Sequence, residues 1–248
     1  MKNLLRLSLG RVVARLLRLC SRPFPLTNGT ALVLAPHADD ETLGCGGLIA
    51  TKSRRGETVH VVFVSDSAGS PESRPPADQA ARRRMEALAA LAVLGVPAPR
   101  AHFLGAPDGR LNRLPADESA RVTTALSMLL TQLCPTEIFV PYLGGGSSEH
   151  DAAVCLARAA LAAADRRPVV WEYPVWAWWS PRRLTGQLFR AAENFSLPLG
   201  AARATKRAAL ACHASQLAPS PLAGEPALPP VLATLCTGPV EFYFKRPH

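Results

Sequence analysis

The sequence predicts an α/β fold, with a doubly wound, mostly parallel sheet that carries helices on both faces. Short apolar or β-branched runs alternate with longer Ala- and Leu-rich stretches, as expected for strands connected by helices. The 248 residues, 48% of them apolar, suffice for one large core, and 6% aromatic residues favour packed helices over an all-β sandwich. A charged fraction of 19% excludes an unstructured polar chain.

Residues 1–25 are predicted to form a basic amphipathic helix ahead of a single domain at residues 26–248. On a helix, an apolar stripe of Leu5, Leu9, Val12, Leu16 and Leu19 lies beside a basic stripe of Arg11, Arg15, Arg18 and Arg22. Because arginines interrupt the apolar run, the segment fits neither a signal peptide nor a transmembrane span. Two interpretations remain: contact with an anionic membrane surface, and packing against the chain's own domain or a second subunit.

The first half of the domain predicts strands that alternate with helices. Apolar and β-branched runs indicate the strands, Ser, Pro and Gly indicate the loop, and Gly95 supplies a helix stop. In order, we predict a strand at 31–35, a helix up to Arg55, a strand at 59–65, a loop at 66–77, a helix at 77–95 and a strand at 102–104.

The second half continues the alternation. Helices are predicted at 117–133, 151–165 and 204–217, and strands at 137–141, 169–176 and 240–244. Five prolines place residues 218–230 in a surface loop. We see no internal repeat or linker, so one domain is the prediction.

Titratable side chains follow the predicted strands, at the edge of the sheet where doubly wound folds bind their ligands. They come after the strands at 31–35, 59–65, 102–104 and 137–141, and include His37, Asp39, Asp40, Glu41, Asp66, Asp108, Tyr142, Glu149 and His150. Because the carboxyl ends of parallel strands lie at one edge, we expect these side chains to gather there.

His37, Asp39 and Asp40 offer one nitrogen and two carboxylate donors within four residues. A divalent metal accepts such ligands, and two adjacent carboxylates at a helix start diverge, so that one can bind metal while the other acts as a base. A metal hydrolase needs a third protein ligand, for which His150 is best placed. Helix capping by Asp39 or Asp40 is the alternative interpretation of these residues.

The segment 35–47, APHADDETLGCGG, resembles the first motif of the LmbE-like or PIG-L-like zinc-dependent N-deacetylases, A-H-P-D-D-E-x-L-G-x-G-G. Further likeness extends over about residues 30–244, at 83–86, 103–109, 173–176, Lys206 and 213–216. The resemblance implies a Rossmann-like fold and the removal of acetyl groups from N-acetylated amino sugars or their conjugates.

The resemblance also implies roles for individual residues. His37, Asp40 and His150 become the metal ligands, and Asp39 becomes the general base that takes a proton from water as it attacks the acetamide carbonyl. The implied substrate-binding residues are Arg83, Asp108, Tyr142, His213 and Asp66.

One departure from the family pattern concerns its second motif, H-x-D-H. Ser147 stands where the first His is expected, and Glu149 stands where the Asp is expected. In the family, that His is thought to help stabilise the tetrahedral intermediate. Tyr142 and His213 are the candidates to replace it here.

We expect Zn²⁺ as the cofactor, although a site of two histidines and one aspartate also accepts Fe²⁺ or Co²⁺. The expected partner is a small-molecule acetylated sugar or sugar conjugate, and the net charge of +9 suits an anionic one; nucleic acid is not expected. Two other functions stay open: a metal amidase acting on a non-sugar amide, and a non-catalytic sugar- or lipid-binding protein.

The six cysteines form no C-x-x-C pair, which argues against a thiolate zinc site or a disulfide framework and favours a reducing compartment. We therefore expect a cytoplasmic protein, with peripheral contact at the inner face of the membrane if residues 1–25 bind lipid. Trp176, Trp178 and Trp179 are interpretable as the wall of a sugar pocket, as core or as a dimer contact.

Overall fold

The computed structural model describes residues 2–69, 75–220 and 224–246, and its eight-stranded, mostly parallel sheet confirms the predicted fold class. The strands are β1 (Arg22–Pro23), β2 (Ala31–Ala35), β3 (Val59–Ser65), β4 (Ala101–Ala106), β5 (Glu137–Pro141), β6 (Val169–Tyr173), β7 (Asn194–Pro198) and β8 (Val240–Lys245). The helices are α1 (Lys2–Leu19), α2 (Asp40–Arg54), α3 (Pro76–Leu94), α4 (Ala116–Leu133), α5 (Ser148–Ala163), α6 (Ala202–Cys212), α7 (Ala214–Leu217) and α8 (Pro230–Cys236).

The strand order is β1-β7-β8-β6-β5-β2-β3-β4. Strands β6, β5, β2, β3 and β4 are parallel, whereas β8 runs antiparallel to both β6 and β7. The chain builds outward from β2 to β4 and then returns to place β5 on the other side of β2. This reversal creates a topological switch point between β2 and β5, where doubly wound folds leave a crevice for ligands.

The sheet separates two hydrophobic clusters, and β2 shows how. Val33 belongs to a cluster shared with α2, α3 and α6, whereas Leu32 and Leu34 belong to a cluster shared with α4 and α5. Successive side chains of a strand point to opposite faces, so a strand covered on both sides is apolar throughout. All five residues of β2 are accordingly buried.

Helix α2 is fixed to the sheet by buried charges. The Glu241 carboxylate of β8 accepts hydrogen bonds from the backbone N–H groups of Gly47 and Leu48, at 2.7 and 2.8 Å. The Lys206 ammonium of α6 donates to Glu241 at 2.7 Å and to the Leu43 carbonyl at 2.8 Å. Because removing one partner would leave the other charge buried and uncompensated, this network holds α2 firmly in place.

Several elements differ from the sequence prediction. Helix α5 begins at Ser148 rather than at residue 151, which brings His150 into its first turn. The strand predicted at 169–176 ends at Tyr173, and the helix predicted at 204–217 breaks at His213 into α6 and α7. Strand β7 and helix α8 were not predicted: β7 is stabilised by pairing along β8, a distant partner that a local pattern does not reveal.

The N-terminal segment is helical over Lys2–Leu19, which is shorter than the predicted 1–25, and it packs on the domain. Arg22 of the predicted basic stripe lies outside the helix, because it pairs with β7 as part of β1. The buried residues of the helix are Gly10, Val13 and Leu17, a face different from the predicted apolar stripe, which stays largely exposed. Among the residues that the structure describes, no helix is both long enough and apolar enough to cross a membrane.

Candidate functional site

A cavity of about 270 Å³ opens at the switch point between β2 and β5. One wall is polar and is formed by His37, Asp39, Asp40, Arg83, Asp108, Ser147 and Glu149. The opposite wall is mainly apolar and includes Leu43, Val175, Trp176, Leu228 and Leu232. The volume lies just below the roughly 300–1,000 Å³ of pockets for drug-sized ligands, so the cavity suits a small group such as one sugar ring.

Two histidines converge on one carboxylate oxygen in the polar wall. His37 Nδ1 lies 3.1 Å from Asp40 Oδ2, and His150 Nε2 lies 3.2 Å from the same oxygen. The ligand atoms of these three residues all lie within 4.8 Å of one another. Two imidazole nitrogens and a carboxylate oxygen are the donor set of many catalytic zinc centres.

Two further carboxylates approach His37 from its other side. Its Nε2 lies 3.2 Å from Asp108 Oδ1 and 3.8 Å from Glu149 Oε2. Burial opposes the protonation of His37, but the neighbouring carboxylates of Asp108, Asp40 and Glu149 outweigh it and raise its pKa well above the usual value. The three carboxylates around this partly buried imidazole favour the binding of a cation beside it.

Asp40 is held ionised by the same histidines. Burial by itself would raise the pKa of this carboxyl, but the charge of His150 and the charge and hydrogen bond of His37 outweigh burial and lower its pKa. The backbone N–H of His37 also donates to Asp40 Oδ2 at 3.0 Å. An ionised, preoriented carboxylate is the form that binds a metal ion.

Asp39 occupies an unusual backbone conformation at the cavity wall. Its φ of 153° is rare for a residue other than glycine, and such strain concentrates at functional sites. Glu41 Oε2 accepts from the Asp39 backbone N–H at 3.0 Å, and Arg83 Nη2 lies 3.6 Å from Asp39 Oδ2. Burial raises the pKa of Asp39 to about 6, although the charge of Arg83 opposes the rise. A carboxylate with a raised pKa suits proton transfer near neutral pH.

Ser147 takes a structural position at the start of α5. Its side-chain oxygen accepts from the His150 backbone N–H at 3.4 Å, as an N-cap residue does. The residue that replaces the expected His therefore caps the helix that carries His150, while it also lines the cavity.

The three neighbouring tryptophans have three different environments. Trp176 lines the cavity, Trp178 is buried with its ring 5.8 Å from that of Phe242, and Trp179 lies under the Arg6 guanidinium at 3.9 Å. Of the three, only Trp176 could form the wall of a sugar pocket.

Of the nine residues predicted for the site, five line the cavity: His37, Asp39, Asp40, Arg83 and Asp108. His150 does not line it but lies 3.2 Å from Asp40, which does. The other three lie behind the wall. Tyr142 packs on Phe244 and accepts a hydrogen bond from Gln187, and Asp66 accepts from the Asp108 backbone N–H at 3.2 Å. His213 is fully buried, with Nε2 3.2 Å from Glu41 Oε1.

Three further residues shape the site although none of them was predicted to act there. Glu41 fixes the Asp39 backbone, the Ser67 hydroxyl accepts from the Ala38 backbone N–H at 2.8 Å, and Gln216 lines the cavity. Glu41 carried a signal, because it belongs to the Asp-Asp-Glu run. Ser67 carried none, since only the tertiary fold brings it to the loop after β2.

A divalent metal fits this donor set. His150 Nε2 is buried and has no hydrogen-bond partner among the described residues, although it lies 3.2 Å from Asp40 Oδ2. A buried imidazole nitrogen without a hydrogen-bond partner is unfavourable for folding. A metal ion bound to that nitrogen would remove this cost. His37 and Asp40 face that point as well.

Comparison with known proteins gives independent information. The profile of the PIG-L family, described as GlcNAc-PI de-N-acetylase, matches residues 32–163. A 1D-myo-inositol 2-acetamido-2-deoxy-alpha-D-glucopyranoside deacetylase of Mycobacterium sp. (strain KMS) is 33% identical over 168 residues, which are 59% of this chain and 53% of the relative. The chain thus spans about half the length of the curated relatives it matches.

Solved structures share the fold at low sequence identity. The N,N'-diacetylchitobiose deacetylase of Pyrococcus horikoshii has a TM-score of 0.60 and 23% identity, covering 75% of this chain and 70% of its own. The 4-carboxy-2-hydroxymuconate hydratase of Pseudomonas putida KT2440 has a TM-score of 0.59 and 21% identity, covering 75% of this chain and 79% of its own. Since one of these is named a deacetylase and the other a hydratase, the fold alone does not select the reaction.

The profile match covers more than half of the sequence, from within β2 to the end of α5, and so includes the two segments that supply His37, Asp39, Asp40 and His150. This chain therefore belongs to the PIG-L family.

Proposed function

We propose that this chain is a metal-dependent N-deacetylase that removes the acetyl group from an N-acetylated amino sugar or its conjugate. The convergence of His37, Asp40 and His150 beside the strained Asp39 carries the proposal. It provides three protein ligands, an open side toward the cavity and a separate base, as a metal hydrolase requires. The mycobacterial relative, by its name, deacetylates an acetamido sugar joined to inositol.

His37, Asp40 and His150 would hold the metal, with Zn²⁺ as the first choice and Fe²⁺ or Co²⁺ also compatible with the donors. Such an ion, when bound, makes a coordinated water more acidic and polarises a carbonyl group. The chain's own charges support this assignment, because Asp108 and Glu149 surround His37 and compensate a cation.

Asp39 would act as the base and then as the acid. It accepts the proton of the attacking water and returns it to the nitrogen of the leaving amine. Arg83 lies within 3.6 Å of Asp39 and also donates to the Ala38 carbonyl, so it holds the loop in place. Glu41 fixes the Asp39 backbone, and His213 in turn contacts Glu41.

Substrate recognition would divide between the two walls. Arg83 and Asp108 face the cavity and can bind sugar hydroxyls, while the Trp176 ring can pack on the apolar face of a sugar. We assign Asp66 and Tyr142 to positioning: Asp66 holds the Asp108 loop, and Tyr142 packs behind the wall. The Ser147 hydroxyl is the donor available at the position of the expected His.

A metal amidase for a non-sugar amide is the second candidate. The apolar wall of Leu43, Val175, Leu228 and Leu232 favours it, because such a wall accepts an acyl or alkyl group as readily as a sugar face. A non-catalytic binding protein is disfavoured by the intact His37, Asp39, Asp40 and His150 set.

Metal analysis and acetate release test the proposal together. We expect about one divalent ion per chain and acetate release from at least one member of a panel that contains N-acetylglucosamine, its oligomers, its inositol conjugate and non-sugar N-acetyl amines. His150→Ala should lose most of the metal, whereas His102→Ala in β4, which belongs to neither group of converging ligand side chains, should keep it. Acetate release from the non-sugar amines alone would select the amidase. A metal-loaded protein inactive on every member would contradict both.

We further propose that this chemistry takes place in the cytoplasm, because the six cysteines are all unpaired and two of them, Cys45 and Cys236, are buried thiols. Residues 26–248 would form the deacetylase domain, with residues 1–25 as an attached helix that takes no part in the chemistry. Contact of that helix with a membrane is a separate proposal, since it rests on α1 and not on the cavity.

A further inference from the structure

Helix α1 packs on the domain by only one of its faces. Gly10, Val13 and Leu17 are its buried residues, and they follow one another at helical spacing. At Gly10 the helix comes so close to α8 that a Cβ atom there would lie 2.7 Å from Leu235 Cδ1. The helix is therefore fixed on the domain, and its remaining faces form part of the protein surface.

A second face of α1 is apolar and exposed. It consists of Leu5, Val12, Leu16 and Leu19, because steps of seven, four and three residues return to the same side of a helix. Their exposed fractions are 71%, 54%, 42% and 76%. One exposed leucine is ordinary on a protein surface, but four on one helix face form a stripe that calls for a partner.

A third face of α1 is cationic. Arg11, Arg15 and Arg18 are exposed and lie beside the apolar stripe, at spacings of four and three residues. No acidic residue occurs in Lys2–Leu19, so no carboxylate of the helix itself neutralises them. The partner must therefore offer negative charge next to an apolar layer.

We infer that the exposed faces of α1 form a docking surface for an anionic lipid membrane, on which the helix lies parallel to the bilayer plane. Apolar side chains enter the boundary of the acyl chains, and the arginines contact anionic headgroups. A second copy of this chain fits less well, because its own α1 carries no acidic residue to meet the arginines. The 3₁₀ segment Pro181–Phe189, which packs against α1, ends in Phe189, another apolar side chain that is 90% exposed.

The docking surface is one element away from the cavity. In α8, Leu235 faces Gly10 of α1, while Leu232 lines the cavity. Membrane contact through α1 would thus hold the cavity close to the lipid surface. This spatial relation is independent of the reaction that the cavity performs.

Co-sedimentation of the full chain with lipid vesicles tests the inference without any activity measurement. The probes are vesicles of phosphatidylcholine alone and of phosphatidylcholine mixed with phosphatidylserine, at low and at high salt. We expect binding to the anionic vesicles at low salt, and a marked loss at high salt because the Debye length falls from about 10 Å at 0.1 M to about 3 Å at 1 M.

Matched variants separate this surface from net charge. The triple variant Arg11→Gln, Arg15→Gln and Arg18→Gln should bind at least tenfold more weakly, since each basic residue near the surface contributes about fivefold. The control triple Arg158→Gln, Arg166→Gln and Arg167→Gln removes the same charge from exposed positions elsewhere and should bind as the parent does. Leu16→Ser with Leu19→Ser should also weaken binding, whereas Met85→Ser with Met128→Ser, at two apolar positions that are also exposed, should not.

Three results would overturn the inference. These are no binding of the parent to anionic vesicles at low salt, an equal loss in the control triple, and a concentration-dependent dimer in light scattering that the Leu16→Ser, Leu19→Ser pair abolishes. Thermal unfolding of each variant confirms that it is folded. A chain that binds vesicles yet releases no acetate would sustain this inference while the proposed deacetylase function fails.

Discussion

The two walls of the cavity come from different parts of the chain and differ in chemistry. The polar wall, with His37, Asp39, Asp40, Arg83, Asp108 and Glu149, lies within residues 32–163, the range that the PIG-L profile matches. Most of the apolar wall lies beyond that range, at Val175, Trp176, Ala227, Leu228 and Leu232. We propose a division of labour, in which the shared region performs the chemistry and binds polar groups of the substrate, while the C-terminal region contacts its apolar part.

The two regions are also built differently. The polar wall lies on the loops and helices that follow the parallel strands. There the backbone is fixed by hydrogen bonds from the Ala38 N–H to Ser67 and from the Asp39 N–H to Glu41. The apolar wall sits on short elements, a 3₁₀ turn at Trp176–Trp178 and the seven-residue α8. Short elements have fewer backbone hydrogen bonds of their own, so this wall can vary without disturbing the sheet.

The largest expected effect falls on the polar wall. Asp39→Asn should lower kcat by about 10²–10⁴-fold, because the amide cannot accept the proton of water. Bound metal should stay at the parental level, since Asp39 is not among the three ligands. The measurement is acetate release together with metal content. Asp117→Asn, an exposed aspartate in the first turn of α4, is the matched control and should behave as the parent does. Near-normal turnover of Asp39→Asn would remove Asp39 from the chemistry.

The next effect concerns the junction between the two regions. Gly44 of α2 lies against the ring of Tyr173 in β6, and a Cβ atom there would be 2.1 Å from Tyr173 Cδ2. The ring cannot retreat, because it is fully buried and its hydroxyl donates to the Leu34 carbonyl at 2.7 Å. Gly44→Ala should therefore lower the free energy of unfolding, on the order of 1–3 kcal/mol, despite the better helix propensity of alanine.

Gly46→Ala is the control for that variant. A Cβ atom at Gly46 would lie 3.0 Å from Lys206 Cγ, a much looser contact than the 2.1 Å at Gly44. Urea unfolding should show a smaller loss for Gly46→Ala than for Gly44→Ala. Equal midpoints for the two variants would mean that the contact with Tyr173 does not constrain α2.

The same contrast between regions explains what the sequence could predict. The strands β2, β3 and β5 are predictable because each is a mainly apolar or β-branched run, and the polar residues after them follow from the rule on strand ends. Strand β7 was missed, because its pairing with β8 is a long-range contact and its sequence, NFSLP, is short and mixed.

The site residues show the same limit. His37, Asp40 and Asp108 came from motif and spacing, whereas Tyr142 and His213 were expected at the substrate and lie behind the wall. Whether a side chain faces a cavity depends on packing on both sides of it. For His213, the deciding partner is Glu41, which is 172 residues away in the chain.

A smaller effect tests the apolar wall. Trp176→Ala should raise KM about tenfold and leave kcat nearly unchanged, because an apolar contact binds substrate and transition state alike. Trp179→Ala is the matched control, since that ring lies under Arg6 and not in the cavity. Initial rates over a range of concentrations of the best sugar substrate provide both constants. A fall in kcat without a change in KM would place Trp176 in the chemistry and break the division of labour.

The smallest expected effect concerns the pH dependence of folding stability, and it arises from two histidines outside the polar wall. His60 in β3 and His102 in β4 do not line the cavity, and they form a hydrogen-bonded pair, with His60 Nδ1 3.1 Å from His102 Nε2. Partial burial and then the charges of His102 and Arg100 lower the pKa of His60 to about 4, and burial lowers that of His102.

The unfolded chain, with histidine pKa values near 6.5, therefore binds more protons than the native state. The resulting stability is fully present above pH 6.5 and is lost as the pH falls from 6.5 toward 4. His60→Gln should reduce this acid dependence modestly, since both rings are only partly buried and solvent screens them. Thermal midpoints of the parent and of His60→Gln at intervals between pH 4 and 7.5 measure the effect. Parallel curves would show that the pair does not titrate with folding, and any acid loss of activity would then have to arise elsewhere in the molecule.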